Sequence, residues 1–288
     1  MRKRCVHEVS VVLAVILAIS CLAASLAAKE PKLTAEELVA RHLESIGSAE
    51  LRAAVNSRLV EGTAILRIRL RGSGTLAGKM TLLSEGRKVR FEILFDHPDY
   101  QAERLAFDGE KHHVGWIVPG SRSPLGQIVF DYDELLNEGL LGGALSTAWS
   151  LLDTQARQPK LKYRGLKKVK GRRLHRLDYR VRKGGGDLKV SLYFEPETSH
   201  HVLSTYEVRI PAGMGATPET SPQQRDTIIR LQETFDDFRQ VDGLTLPVDW
   251  SVRVTMKTAQ ESTDWQWNMA FERITHNQAV AANSFILQ

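Results

Sequence analysis

From Leu244 to Lys257 the chain reads LTLPVDWSVRVTMK, with apolar residues on every second position: Leu244, Leu246, Val248, Trp250, Val252, Val254 and Met256. Side chains of a strand alternate between faces, so this segment presents one continuous apolar face and one polar face. The same period recurs upstream. Val60, Ala64, Leu66, Ile68 and Leu70 alternate with polar residues, Leu76, Met80 and Leu82 follow across Gly72-Ser73-Gly74, and Val89, Phe91, Ile93 and Phe95 come next. ERLAFDGEKHHVGWIVPG, LHRLDYRV, LKVSLYFEPET and HVLSTYEVRI continue the pattern, and DWQWNMAFERI puts Trp265, Trp267, Met269 and Phe271 on one side. Roughly ten strands joined mainly by hairpin turns predict one antiparallel sheet. At Asp242-Gly243 we expect a three-residue loop pairing Gln240 with Leu244 and bringing Phe238 onto the apolar face, with an irregularity at Asp236-Asp237.

An antiparallel sheet with one polar face needs its other face covered. Each Leu, Val or Phe withdrawn from water is worth roughly 1.5–3 kcal/mol, so a face with dozens of them does not stay exposed. Covering material is scarce. TAEELVARHLESIG predicts a helix capped by Thr34 with Glu37, its inner face formed by Ala35, Val39, Leu43 and Ile46, and SAELRAAVNS predicts a short second helix. Residues 131–153 form a leucine-rich helical stretch broken at Gly142-Gly143, and PAGMGATPETSPQQ (211–224) has loop composition. The predicted fold is therefore α+β, a single large curved antiparallel sheet forming an open, unclosed barrel with helices plugging its concave apolar side. An imperfect plug leaves an apolar cavity, expected to be lined by Leu66, Ile68, Met80, Leu82, Phe91, Ile93, Trp116, Leu140, Trp149, Trp250, Val252, Met256, Trp267, Met269 and Phe271. Rigid rings beside adaptable thioethers suit a wall that meets variable apolar ligands. The competing reading is a solid core.

The first residues read as a leader rather than as fold. MRKRCVHEVS is basic, VVLAVILAISCLAASLAA is apolar over 18 residues, and small residues precede KE. We take 1–28 as a signal peptide and 29–288 as one domain, which predicts an exported, periplasmic protein; a retained anchor is the alternative. Cys5 and Cys21 both lie in the leader, so the mature chain has no thiol for a disulfide, metal or nucleophile. LAISC loosely resembles a lipobox, and lipid anchoring through Cys21 is the second reading of the localisation. Cleavage removes three cations and one acid, turning the net charge of +5 into +3. From Thr154 to Leu177 there are ten Lys or Arg and no acid. An exported chain has no nucleic-acid partner, so this run is a solvated hairpin. In its functional version, Lys160, Lys162, Arg164, Lys167, Lys168, Lys170, Arg172 and Arg173 dock anionic headgroups.

Signatures of catalysis are missing from the sequence: no GxSxG, HExxH or phosphate-binding loop occurs. His112-His113 and His200-His201 are neighbours on strands, pointing to opposite faces, and read as surface or loop histidines. DYDELLNEG has Leu135 where a calcium loop needs an oxygen and reads as a helix start. Asp236-Asp237 diverge in the same way as the histidine pairs. No cofactor, metal or enzymatic activity is expected.

Taken in order, the exported chain with a helix, SRLVEGTAILRI, a central LLGG segment, LKVSLYFEPET and FDDFRQVDGLTLPVDW resembles the LolA/LolB-type outer-membrane lipoprotein-sorting carriers. That resemblance implies an open β-barrel with an α-helical lid, holding lipoprotein acyl chains in the periplasm. The expectation is a non-enzymatic carrier of lipid or lipoprotein acyl chains, with envelope membrane proteins as further partners. The alternative is an interaction or sensor protein of the same fold with a solid core and a protein partner.

Overall fold

A computed structural model of the chain describes residues 33–69, 73–182, 186–211, 226–257 and 262–287. The expected leader, the lipobox-like Cys21, Leu70 and most of the 211–224 loop lie outside these residues. Contacts divide the chain into Met1–Thr34 and Ala35–Gln288, and every described strand belongs to the second unit. Among the described residues no helix is long and apolar enough to cross a membrane.

Twelve strands make one antiparallel sheet: β1 (Ser57–Arg69), β2 (Ser73–Glu85), β3 (Lys88–Phe95), β4 (Ala102–Phe107), β5 (His112–Val114), β6 (Lys160–Val169), β7 (Arg172–Arg180), β8 (Lys189–Phe194), β9 (His201–Ile210), β10 (Thr227–Val241), β11 (Leu244–Lys257) and β12 (Ser262–His276). Their spatial order is β5-β4-β3-β2-β1-β12-β11-β10-β9-β8-β7-β6, so β5 and β6 are the edges and the sheet is not closed. The sheet is strongly curled. Phe91 on β3 and Trp250 on β11 have ring centroids 5.2 Å apart although four strand steps separate them. In a flat sheet that separation would be about 19 Å, at roughly 4.8 Å per step.

The register brings the alternating apolar residues onto the concave side. Leu66 pairs with Trp267 and Leu76, Trp250 with Met269 and Phe235, and Met80 with Ile93. The hairpin after Val241 departs from expectation. Val241 pairs with Leu244 across a two-residue loop, and Asp242 and Gly243 have φ of 49° and 82°. A two-residue turn with both central residues at positive φ matches the right-handed twist of its strands. Phe238 consequently faces the other side. It is not left in water: it stacks on His200 at 4.2 Å and packs against Leu174, Tyr193, Val202 and Leu203. Asp237, at φ 49°, is the local irregularity. Replacing Gly243 by alanine is expected to cost about 1 kcal/mol in urea denaturation, the usual penalty for a side chain in left-handed backbone. The new Cβ would meet only the flexible end of the exposed Leu51 side chain, at 3.1 Å.

Helices α1 (Ala35–Ile46) and α2 (Ala49–Ala53) precede the sheet. The inner face of α1 is Ala35, Leu38, Val39, His42 and Ile46, so buried His42 stands where Leu43 was expected. Between the two edge strands, residues 115–159 cross the concave side. They contain α3 (Pro124–Asp131), α4 (Glu134–Asn137), 3-10 turns at Gly143–Leu145 and Ser150–Asp153, and α5 (Thr154–Arg157). The expected 131–153 helix is thus a chain of short turns. At Gly139 the backbone has φ 61° and an added Cβ would lie 1.8 Å from the carbonyl oxygen of Ala148, so the chain must reverse there instead of continuing a helix.

Candidate functional site

The crossing segment, here called the plug, meets the wall along an apolar seam. Leu82, Val89, Phe91, Leu105, Trp250 and Val252 come from the wall and Leu125, Leu135, Leu136, Gly139 and Leu141 from the plug. The free space in the seam is about 20 Å³, room for about one water and none for an acyl chain. The described conformation is closed to such a ligand.

Of the residues expected to line a cavity, Leu66, Met80, Leu82, Phe91, Ile93, Leu140, Trp149, Trp250, Val252, Trp267, Met269 and Phe271 are buried. Only Leu82, Phe91, Trp250 and Val252 among them border the seam. Ile68 and Met256 are half-buried with Leu76, Ile229 and Trp265, all at the strand ends remote from the Asp242-Gly243 turn. Trp116 departs from expectation altogether. It is 45% exposed and lies 3.8 Å from the Arg122 guanidinium, which Phe130 flanks on another side at 4.0 Å. Only its proximity to the apolar pattern suggested a core position; β5 ends at Val114 and leaves it outside the sheet.

Polar groups fasten the plug, among them Arg58, Glu103 and Glu233 from buried positions on the strands. Glu233 on β10 sits between Leu231 and Phe235 on the inward side and accepts bonds from the Gly142 amide at 2.8 Å and Trp250 Nε1 at 3.0 Å. Tyr206 Oη lies 2.6 Å from Glu233 Oε2 and 2.7 Å from the Leu140 carbonyl. Burial pushes the Glu233 carboxyl up to about 7. The phenol has one proton, so it can serve only one acceptor at a time. With Glu233 protonated, its O–H donates to Tyr206, which donates to Leu140, and both contacts are satisfied.

Glu103 on β4 repeats the arrangement. It accepts from Tyr100 Oη and from Ser123 Oγ at 2.8 Å, Ser123 caps α3 through the Gly126 amide, and burial raises this carboxyl to about 7 as well. His42 accepts from Trp149 Nε1 at 3.2 Å, and burial pushes it down to about 3. His201 is buried rather than on the surface: it stacks on Trp149 at 4.9 Å, bonds Ser204 Oγ at 3.0 Å and is held well below its ordinary value by burial. His200, its neighbour, does face outward.

Arg58 at the start of β1 is 5% exposed. Its Nη1 donates to the Ala144 carbonyl of the plug, and its Nε donates to His276 Nε2 at 3.0 Å. That bond fixes the imidazole tautomer, leaving Nδ1–H to donate to Asp242 Oδ2 at 2.9 Å. Burial lowers Arg58 to about 10, so it stays charged at neutral pH. Beside it opens a cleft of about 810 Å³ between α1–α2 and the β2–β3 turn.

All eight residues of the expected docking surface are exposed on the β6–β7 edge hairpin. Arg164 is bonded to Asp178 Oδ2 at 2.5 Å and Arg172 to Glu195. A lysine-rich edge strand also discourages pairing with other chains. Among the described residues no group of three or more His, Cys, Asp or Glu could hold a metal ion.

The chain is thus defined structurally as an open antiparallel barrel with a plugged concave face. Its sequence matches no protein-family model and no curated protein. Several solved structures are similar to it. A DUF1329 family protein from Desulfovibrio piger shares 12% identity, with 87% of this chain and 96% of that chain covered and a TM-score of 0.46. A LolA superfamily protein from Nitrosomonas europaea shares 11%, covering 89% and 99%, with a TM-score of 0.45. A structure described as an outer membrane lipoprotein-sorting protein domain, from Vibrio parahaemolyticus, shares 12%, covering 86% and 97%, with a TM-score of 0.43.

Proposed function

We propose that this chain is an exported, non-enzymatic carrier that holds a lipid or lipoprotein acyl chain against the concave wall of its sheet. The observation carrying this reading is what covers that wall. It is a broad apolar surface under a plug whose longest helix has eight residues and whose other helical turns have three or four. Helices this short are marginal by themselves, and the plug depends on its seam and on a few side-chain bonds. Segments of that kind open at a lower free energy than the strands they cover. The closed seam means that an acyl chain enters only as the plug moves aside, its methylenes replacing the leucines of the plug. The exposed basic β6–β7 hairpin would face anionic headgroups during delivery.

The closed seam equally favours a second reading, an interaction protein with a solid core. Delipidated, refolded protein titrated with a fluorescent fatty acid separates them. The carrier is expected to bind the probe about one to one and to yield lipid on solvent extraction after purification without detergent. Absence of both from well-folded protein would leave the interaction reading standing.

A further inference from the structure

The cleft beside Arg58 lies at the end of the barrel that carries the Asp242-Gly243 turn, away from the half-buried apolar strand ends. Its wall is mixed. Ala49, Ala53, Val55 and Leu152 supply apolar surface, and Arg52, Arg58, Arg87 and Lys88 supply four cations. Glu85 is the carboxylate among the lining residues, and it is already bonded to Lys88 Nζ at 3.1 Å. Among the described residues no carboxylate lies within 4 Å of Arg52, Arg58 or Arg87 in an ion pair.

Arg58 is the telling member. A buried guanidinium ordinarily has a carboxylate partner, because an unbalanced buried charge is costly. Here its partners are a carbonyl and a neutral imidazole, which orient it without neutralising it. The Asp242 carboxylate is separated from it by that imidazole and carries a 71% exposed side chain. A rigid, oriented, uncompensated guanidinium in a concave site with two further arginines is built to receive an oxyanion. The volume is within the usual range for small-molecule sites, roughly 300–1,000 Å³.

We propose that this cleft is a second binding site, for the phosphate or carboxylate headgroup of an anionic amphiphile, with its anion on Arg58 and Arg87 and the start of its tail on Leu152 and Val55. The site is separate from the wall–plug seam and does not depend on the carrier reading. Phosphate and carboxylate each present a pair of oxygens that a guanidinium grips with paired N–H donors.

Calorimetric titration with dodecyl phosphate, dodecyl carboxylate and uncharged dodecanol tests it. Both anions are expected to bind, with affinity falling as salt rises; the tighter of the two identifies the headgroup. Arg87→Glu, at an exposed position whose side chain donates to the Asn137 carbonyl at 3.3 Å, should weaken anion binding at least tenfold with little change in melting temperature and none in any dodecanol binding. Arg58→Gln should weaken it further if that variant folds; Arg87→Glu suffices if it does not. Equal affinity for dodecanol and the anions, or anion binding indifferent to Arg87→Glu, overturns the proposal. Anion binding that responds to Arg87 would sustain this site even if the fatty-acid titration and solvent extraction removed the acyl-carrier reading.

Discussion

Replacing Trp149 by alanine is expected to lower the unfolding free energy by roughly 3–5 kcal/mol, the cost of truncating a fully buried aromatic side chain. Trp149 is completely enclosed, stacks on His201 and donates to His42. Its loss leaves a cavity between plug and wall and a buried imidazole nitrogen without its donor, an added cost of about 1–3 kcal/mol if no water enters. The control is the same substitution at Trp116, 45% exposed, where mainly the contact with Arg122 is lost. That change should cost about 0.5–1 kcal/mol, the range for an exposed cation–π contact. Urea midpoints for the two variants measure the contrast. Equal losses would mean that Trp149 does not hold the plug to the barrel.

A second large effect is expected from pH. Glu233 has a raised folded-state value of about 7 against 4.5 for the free group. A raised carboxyl contributes stability that is fully present below the unfolded value and disappears as pH climbs through the folded one. A shift of that size corresponds to about 3 kcal/mol between pH 4.5 and pH 7 and above. In structural terms, ionised Glu233 draws the Tyr206 proton to itself and releases the buried Leu140 carbonyl. Glu233→Gln imitates the protonated acid: its amide oxygen accepts from Gly142 and Trp250, and its NH₂ donates to Tyr206. The variant should match the parent near pH 5 and exceed it by about 1–3 kcal/mol at pH 8. His42 and His201, both held down by burial, act the other way, losing stability as pH falls below 6.5. Their contribution cancels when variant and parent are compared at each pH. A stability difference between the two that is flat from pH 5 to pH 8 would refute the assignment.

Much of the sheet is legible in the sequence because its faces meet different solvents. Leu244–Met256 and Trp265–Phe271 repeat at period two for as long as one side stays dry, and that suffices to predict an open antiparallel barrel. What crosses the concave side is harder to read, because its conformation follows the shape of the wall. Gly139, Gly142 and Gly143 bend the plug into turns where leucine spacing suggests a helix. Arg58, Glu103 and Glu233 could have been found: each occupies an inward slot of an otherwise apolar alternation, next to Val60, Leu105 and Leu231. A charge in such a slot signals a buried polar partner on another element, though not which one. The cleft beside Arg58 gave no such signal, since its walls come from segments far apart in sequence.

The pairing of β1 with β12 has a consequence for how the molecule comes together. Ala64 finds its partner in Met269, 205 positions further on, at the middle of the sheet rather than at an edge. Strands β1–β5 and β6–β12 are each a run of neighbours that can zip up locally, but they join through this single seam. The entropy of closing so long a loop must be met before the seam returns any energy, which makes this a slow step. The two halves therefore wait for the last strand to be made. A chain cut short before Ser262 would present β1 and β11 as raw edges, the surfaces on which unfinished sheets find one another.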